Sequence, residues 1–334
     1  MITGEERRLA KHCIEYAVAN GADGIRVSLN KSVMDSCSML NGDLDKVSHS
    51  ADRSVFIYLY VNGRYGTFST NRLEEKELEE FIGQAIVMVR MLGEDRDRRL
   101  PSPERMAKDA REGNELGLYD SYYEDSDSSS RLERAERMSI FDSLEKKAGY
   151  KVISEECEYA ESADDTFLID SQGFEGRHTE TSFNCFSEIT VQDEEGNRYS
   201  GYWWEASPHH DVLKLEECSH TALERAVSQI GPRTRRSGRY RMVVDGSVAS
   251  RLVSPLINAL NASAIQQKMS FLEDSIGKQM FPEGMTLMDL ARTPGKNGSR
   301  LFDTEGTATK DAPVIENGVV MQYFVNTYNS EKMG

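Results

Sequence analysis

A chain of 334 residues is long enough for two or three compact units, and 38% hydrophobic with 29% charged residues is the balance of a folded globular protein, not a disordered one. A formal charge of −16 excludes a general nucleic-acid binder, which needs a net supply of Lys and Arg facing phosphate, and no run approaches the ~20 apolar residues that span a bilayer. The five cysteines are widely spaced with no Cys-x-x-Cys pair, and Met1 to Arg8 lacks the apolar core of a signal peptide, so reduced thiols and a cytoplasmic setting are expected.

Thr3 with Glu6 is a capping-box pair, and Leu9, Cys13, Tyr16 and Ala17 recur at helical spacing until Asn20-Gly21. A first helix is therefore expected over about residues 4–20. Strand-like alternation follows in Ile25 to Leu29, Asn41-Gly42-Asp43 reads as a turn, and Val55 to Val61 precedes the hairpin signal Asn62-Gly63. From Leu73 to Leu92 the apolar positions Leu78, Phe81, Ile82, Ala85, Val89 and Leu92 form one face of a long helix opposite a Glu-rich face. A helix after a meander implies an α+β fold, not a doubly wound sheet.

Residues 94–130 change character: Glu94 to Arg99 is charged, and Glu124 to Ser130 is acidic and serine-rich. That pattern predicts a linker leading to a helix at about 131–148, ended by Gly149. Phe167 to Asp170, Phe183 to Val191 and Tyr199 to Glu205 read as strands, with Ser171-Gln172-Gly173 and Glu195-Gly196-Asn197 as turns and a helix at about 215–230. Three units follow: an amino-terminal α+β domain over residues 1–100, a linker and strand-rich middle over 101–215, and a strand-rich carboxyl-terminal domain over 216–334.

The last unit is the most informative. Tyr240 to Val244 reads as a strand, Asp245-Gly246 as a turn, and Ser247 to Leu260 as a helix. Lys268-Met269-Ser270, Gly277-Lys278, Leu287-Met288-Asp289, Phe302-Asp303-Thr304-Glu305-Gly306-Thr307 and Val314 to Val320 follow in order. Together with Gly21-Ala22-Asp23-Gly24 and Asn62 to Gly66, this order resembles the TldD/PmbA family, once called modulators of DNA gyrase and regarded as a two-subunit cytosolic peptidase. The resemblance implies a carboxyl-terminal domain of the PmbA/TldD type, and the chain stops at Gly334 where the family pattern continues, so truncation is expected.

In that family the TldD-type subunit carries His-Glu-x-x-x-His on the helix and a later Cys. These groups hold zinc, and the Glu serves as general base. Anchoring on Lys268 and Ser270 puts Ser254, Pro255 and Ala259 at the first His, the Glu and the second His. Serine is a poor zinc ligand at neutral pH, proline has no basic side chain and alanine has only a methyl group. The chain thus resembles the PmbA-type subunit, TldE, with no catalytic residue, no metal and no cofactor of its own, and zinc expected in a TldD-like partner.

The function this implies is that of a non-catalytic subunit in proteolysis of unfolded or short peptides, including leader removal from peptide antibiotics and antitoxin degradation. The expected partners are the metallopeptidase subunit and peptide substrates, without direct nucleic-acid or membrane contact, and with a homodimer possible in isolation. The alternative is a stand-alone homodimeric interaction protein regulating a partner such as DNA gyrase without proteolysis.

The remaining candidate groups have plainer readings. His209-His210 is expected in a solvent-facing loop, because adjacent strand side chains point to opposite faces. Cys218 and His220, two apart on a helix, cannot share a face. His178 and Cys185 converge only if the hairpin register allows it, while His12 and His49 stand alone. Asp303 and Glu305 are expected to shape a turn ending at Gly306. The run Arg233 to Arg241, with five arginines in nine residues, reads as a solvated loop and strand edge. Tyr202-Trp203-Trp204 reads as alternating core and surface positions of a strand.

Overall fold

The computed structural model describes residues 1–144 and 149–334. Helix α1 (Gly4–Ala19) starts at the expected capping box, where Thr3 Oγ1 accepts from the Glu6 amide and the Glu6 carboxylate accepts from the Thr3 amide. Strands β1 (Gly24–Leu40), β2 (Asp43–Val61) and β3 (Arg64–Thr70) form a meander, and α2 (Glu75–Val89) follows. The turns fall where the sequence puts them: Asn41-Gly42 and Asn62-Gly63 both have positive φ, which Asn tolerates and Gly adopts freely.

Residues 94–121 are mostly irregular. They lead to the single turn α3 (Tyr122–Asp125) and to α4 (Ser128–Met138), which is capped by Asp127 accepting from the Ser130 amide. The expected helix over 131–148 therefore begins earlier and ends at Met138, and residues 145–148 lie outside the described residues. Strands β4 (Tyr150–Asp170), β5 (Glu175–Asp193) and β6 (Arg198–Ser207) precede α5 (Leu215–Val227).

All six strands make one antiparallel sheet in the order β3-β2-β1-β4-β5-β6, in which β1 pairs along its length with β4. Odd-numbered residues of β1, β2, β5, β6 and most of β4 face the helices, whereas in β3 the even-numbered Gly66 and Phe68 do. Ile25, Val27, Leu29, Ile57, Leu59, Phe167 and Ile169 pack beneath α1 and α2, while Cys37, Cys157, Tyr159, Phe183 and Cys185 pack beneath α4 and α5. Even-numbered residues of β1, of β4 after its bulge and of β5 face away from all four helices and carry mostly Ser, Thr, Asn, Asp and Glu. All five cysteines are buried thiols, and burial pushes Cys157 up to about 11.

The carboxyl-terminal region contains α6 (Ser250–Ala259), α7 (Ala262–Gln266), a small sheet of β7 (Leu287–Asp289), β8 (Ala312–Glu316) and β9 (Val319–Val320), and α8 (Thr327–Met333). Its core is Ala259, Leu260, Leu272, Val314, Ile315 and Val320. The strand expected at Tyr240 to Val244 does not form. Those residues pair with no strand among the described residues, and Val243 is 88% exposed. An apolar alternation becomes a strand only where a neighbouring strand can bond it.

Candidate functional site

The helix-free face of the sheet is where the carboxyl-terminal region meets the strands. The segment Phe302 to Thr307 forms the turn expected of its two carboxylates: Asp303 Oδ1 accepts from the Glu305 and Thr307 amides at 2.8 and 2.9 Å, and the Gly306 amide donates to the Asp303 carbonyl. Gly306 has φ +88°, and a Cβ there would strike Met106 and Phe174 within 2.8 Å, so this position requires glycine twice over. Ala107 N donates to Gly306 O and Ala308 N to Arg105 O, tying the turn to the irregular segment that follows α2.

Between this turn and the sheet lies a cleft of about 350 Å³. Its floor is Ser28 and Asn30 of β1, Asp164, Thr166 and Leu168 of β4, and His178 and Glu180 of β5, while Phe56 and Tyr58 of β2 form one wall and Arg300, Phe302, Asp303 and Thr304 the other. Thr166 Oγ1 donates to Asn30 Oδ1 at 3.1 Å, and Asn30 Nδ2 in turn donates to Ser28 Oγ at 3.1 Å. His178 Nε2 sits 3.4 Å from Glu180 Oε2, within ion-pair reach but without an aligned hydrogen bond among the described residues. The imidazole holds the Glu180 carboxyl below its ordinary range, whereas burial raises those of Asp164 and Asp303.

A buried charge cluster lies beside Tyr58 and the Asp303 turn. Arg26, 4% exposed, lies over the Tyr58 ring at 4.3 Å and 4.0 Å from Glu305 Oε1, and its Nε and Nη1 have no hydrogen-bond partner among the described residues. Glu305 Oε2 accepts from both the amide and the hydroxyl of Thr327, so one carboxylate joins the turn to α8. Asp170, directly across from Arg26 in the sheet, uses Oδ1 to accept from the Gln172 and Phe174 amides. Sequence reasoning found the Asp303-Glu305 turn but not Arg26, because the contacts that surround Arg26 come from residues far away in the chain.

The residues at the expected metal positions lie on α6, away from this lining. Ser254 is exposed and its Oγ donates to Ser250 O at 2.8 Å, and Pro255 is exposed inside the helix. Ala259 is buried, and its carbonyl accepts from Ser270 Oγ at 2.5 Å. Among the described residues the donor atoms of His12, Glu75 and Glu79 come within 4.8 Å of one another, on α1 and α2. A 2.8 Å hydrogen bond from the His12 ring to Glu79 accounts for that grouping, so His12 is not isolated.

Two further expectations are corrected. His210 is not in a solvent-facing loop: its Nδ1 lies 2.7 Å from Asp120 and its ring stacks on Tyr122 at 3.9 Å. His49 is 2.8 Å from Asp35 and so is not alone. His178 and Cys185 point to opposite faces of β5 and do not converge. Trp203 packs inward while Tyr202 and Trp204 face out, as the alternation predicts.

Comparison with known proteins agrees with this architecture. Family profiles described as PmbA/TldA metallopeptidase domain 1, central domain and C-terminal domain match residues 26–89, 121–230 and 237–334. The chain belongs to the PmbA/TldD metallopeptidase family. A solved structure of a candidate modulator of DNA gyrase from Bacteroides thetaiotaomicron superposes with a TM-score of 0.93 at 36% identity, covering 100% of this chain and 75% of that one. TldE from Thermococcus kodakarensis superposes with a TM-score of 0.75 at 18% identity, covering 98% and 72%, a likeness of fold. Among curated proteins, metalloprotease PmbA of Escherichia coli O157:H7 is 23% identical over 98% of this chain and 72% of its own length. The chain thus has the mixed α+β fold of this family, and no helix among the described residues is long and apolar enough to cross a membrane.

Proposed function

We propose that this chain is the non-catalytic subunit of a PmbA/TldD-type zinc peptidase, pairing with a homologue that carries His-Glu-x-x-x-His and helping to hold an unfolded or short polypeptide. The observation that carries the reading is the chemistry of α6. At the aligned positions stand a hydroxyl turned back onto its own helix, a proline ring and a buried methyl group, none able to grip zinc or serve as a base. The long strands and the polar cleft are consistent with a surface for an extended chain, since backbone and small polar groups can bind peptides with little regard to sequence. Leader removal from peptide antibiotics and degradation of antitoxin-like proteins are the substrates this reading favours.

The test mixes the purified chain with a His-Glu-x-x-x-His homologue and follows cleavage of an unfolded polypeptide with each component alone and with both. Chelator-sensitive cleavage that needs the homologue and is enhanced by this chain is expected. Stoichiometric zinc in this chain, or hydrolysis by it alone, refutes the proposal.

A further inference from the structure

Far from the cleft, the helix-free face of the sheet carries three aromatic rings together. Tyr202 and Trp204 of β6 are 41% and 53% exposed. Phe186 of β5 stands directly across from Trp204 and stacks with Tyr202, their ring centroids 6.5 Å apart. Rings of this size are ordinarily buried, so a contiguous group of them left in water marks a contact surface. The group lies eight residues along β4 and β5 from the Asp164 and Glu180 row of the cleft, about 26 Å at about 3.3 Å per residue.

The chemistry of the partner follows from what surrounds the rings. Glu158 stands directly across from Phe186, Glu188 from Tyr202, and Glu156 from Glu188. Like charges directly opposite in a ladder weaken it, and a cation between them removes the penalty. Among the described residues, however, no lysine, arginine or histidine comes within ion-pair distance of Glu156, Glu158 or Glu188. Trp203, on the other face of the same strand, gives the contrast. Arg225 lies over its ring at 4.3 Å, whereas no cation among the described residues lies over Phe186, Tyr202 or Trp204. Negative ring faces and uncompensated carboxylates thus share one surface, and both attract positive charge.

We propose that this surface docks a lysine- and arginine-rich polypeptide segment. Its cations lie over the Tyr202 and Trp204 rings and reach the Glu188 and Glu158 carboxylates, while their aliphatic stems cover the ring edges. An acidic or apolar segment would bury the three carboxylates without neutralising them, and nucleic acid is repelled by them. The formal charge of −16 on the chain draws a basic segment in from a distance. The docking uses no residue of α6 or of the cleft, so it stands or falls apart from the peptidase reading.

Tryptophan emission of the full chain tests it, because Trp203 and Trp204 are its two tryptophans. The probe is a short synthetic peptide alternating arginine or lysine with serine, beside a version with glutamate at every basic position. The basic peptide should change the emission saturably and bind more weakly as salt rises to about 0.5 M, and the glutamate version should do neither. By titration calorimetry, Trp204→Ala and Glu188→Gln each weaken binding about fivefold, while Trp204→Phe keeps a ring and most of the affinity. Glu156→Lys sets opposite charges across from each other with Glu188, and should raise the melting temperature while abolishing binding, a combination that a purely structural role does not produce. No saturable binding up to millimolar peptide, equal binding of the glutamate version, or unchanged affinity in Trp204→Ala and Glu188→Gln overturns the proposal. Binding lost only in Asp164→Asn or Glu180→Gln also overturns it and assigns the peptide to the cleft.

Discussion

Gly201→Ala is a small substitution with a large expected effect. Gly201 lies in the interior of β6 on the helix-facing side, where α5 crosses it. A Cβ built there stands 2.7 Å from the Arg225 carbonyl carbon and nearer still to Ala226 N and Ala222 O, all of them backbone atoms that no rotamer change can remove. To restore an ordinary separation of about 3.5 Å, α5 must lift by more than an ångström. That separates Ala222 and Ala226, both fully buried, from Ile189 and Val191. Overpacking costs about 1–3 kcal/mol when side chains can yield, and a backbone obstruction places this site at the upper end, about 3 kcal/mol. At about 2–4 °C per kcal/mol, the melting temperature should fall by about 6–12 °C. Differential scanning calorimetry of Gly201→Ala beside Ser200→Ala, its neighbour on the opposite face, measures this. A melting temperature within about 1 °C of the parent in Gly201→Ala would show that the helix and strand have room, and the close-approach argument would fail.

Three further outcomes are expected. Asp165, 1% exposed, accepts from Arg177 Nε and Nη2 at 3.0 and 2.7 Å and from the Ile2 amide at 2.7 Å, so Asp165→Ala should cost about 3 kcal/mol in urea unfolding and free the amino terminus to proteolysis. The Glu180 carboxyl is held below its ordinary value by His178, so its ionised form is favoured in the fold. The stability it contributes is complete above about pH 4.3 and fades as pH falls through the lower folded value. Parent and Glu180→Gln melting temperatures should therefore converge in acid, and a gap constant with pH contradicts this. Pro255 interrupts α6 at an exposed position, so Pro255→Ala restores an amide donor to the carbonyl of Arg251 and should raise stability by about 1–3 kcal/mol, read by thermal unfolding.

Local signals were legible and distant ones were not. The Thr3-Glu6 box, the Asn-Gly turns and the Asp303-Glu305 turn depend on residues within four positions, and all are in place. Strand lengths were underestimated because the outer halves of β1 and β2 alternate Ser, Asp and Lys instead of apolar residues, leaving their pairing to each other to define them. The serine-rich run after Glu124 reads as linker by composition, yet Asp127 and Ser130 form a helix cap that only the following turns of α4 make visible. His210 meets Asp120 ninety residues away, and Arg26 meets Glu305 across most of the chain, contacts that no local pattern encodes.

The way α6 is held does not depend on the side chains at positions 254 and 255. Its anchors are Ala259 and Leu260 in the carboxyl-terminal core and the Ser270 hydroxyl on the Ala259 carbonyl. Asn261 then caps α7 by accepting from the Ser263 amide, and the Ala262 amide donates to Phe324 O, so the chain after the helix is fixed by backbone bonds as well. The exposed face with Ser254 and Pro255 contributes to none of this. Ala259, the third position that the resemblance aligns with the metal motif, is itself one of these anchors, so the three positions do not share one exposed face. Substitutions at Ser254 and Pro255 therefore leave the helix, the Phe302 to Thr307 turn and the cleft beneath it in position.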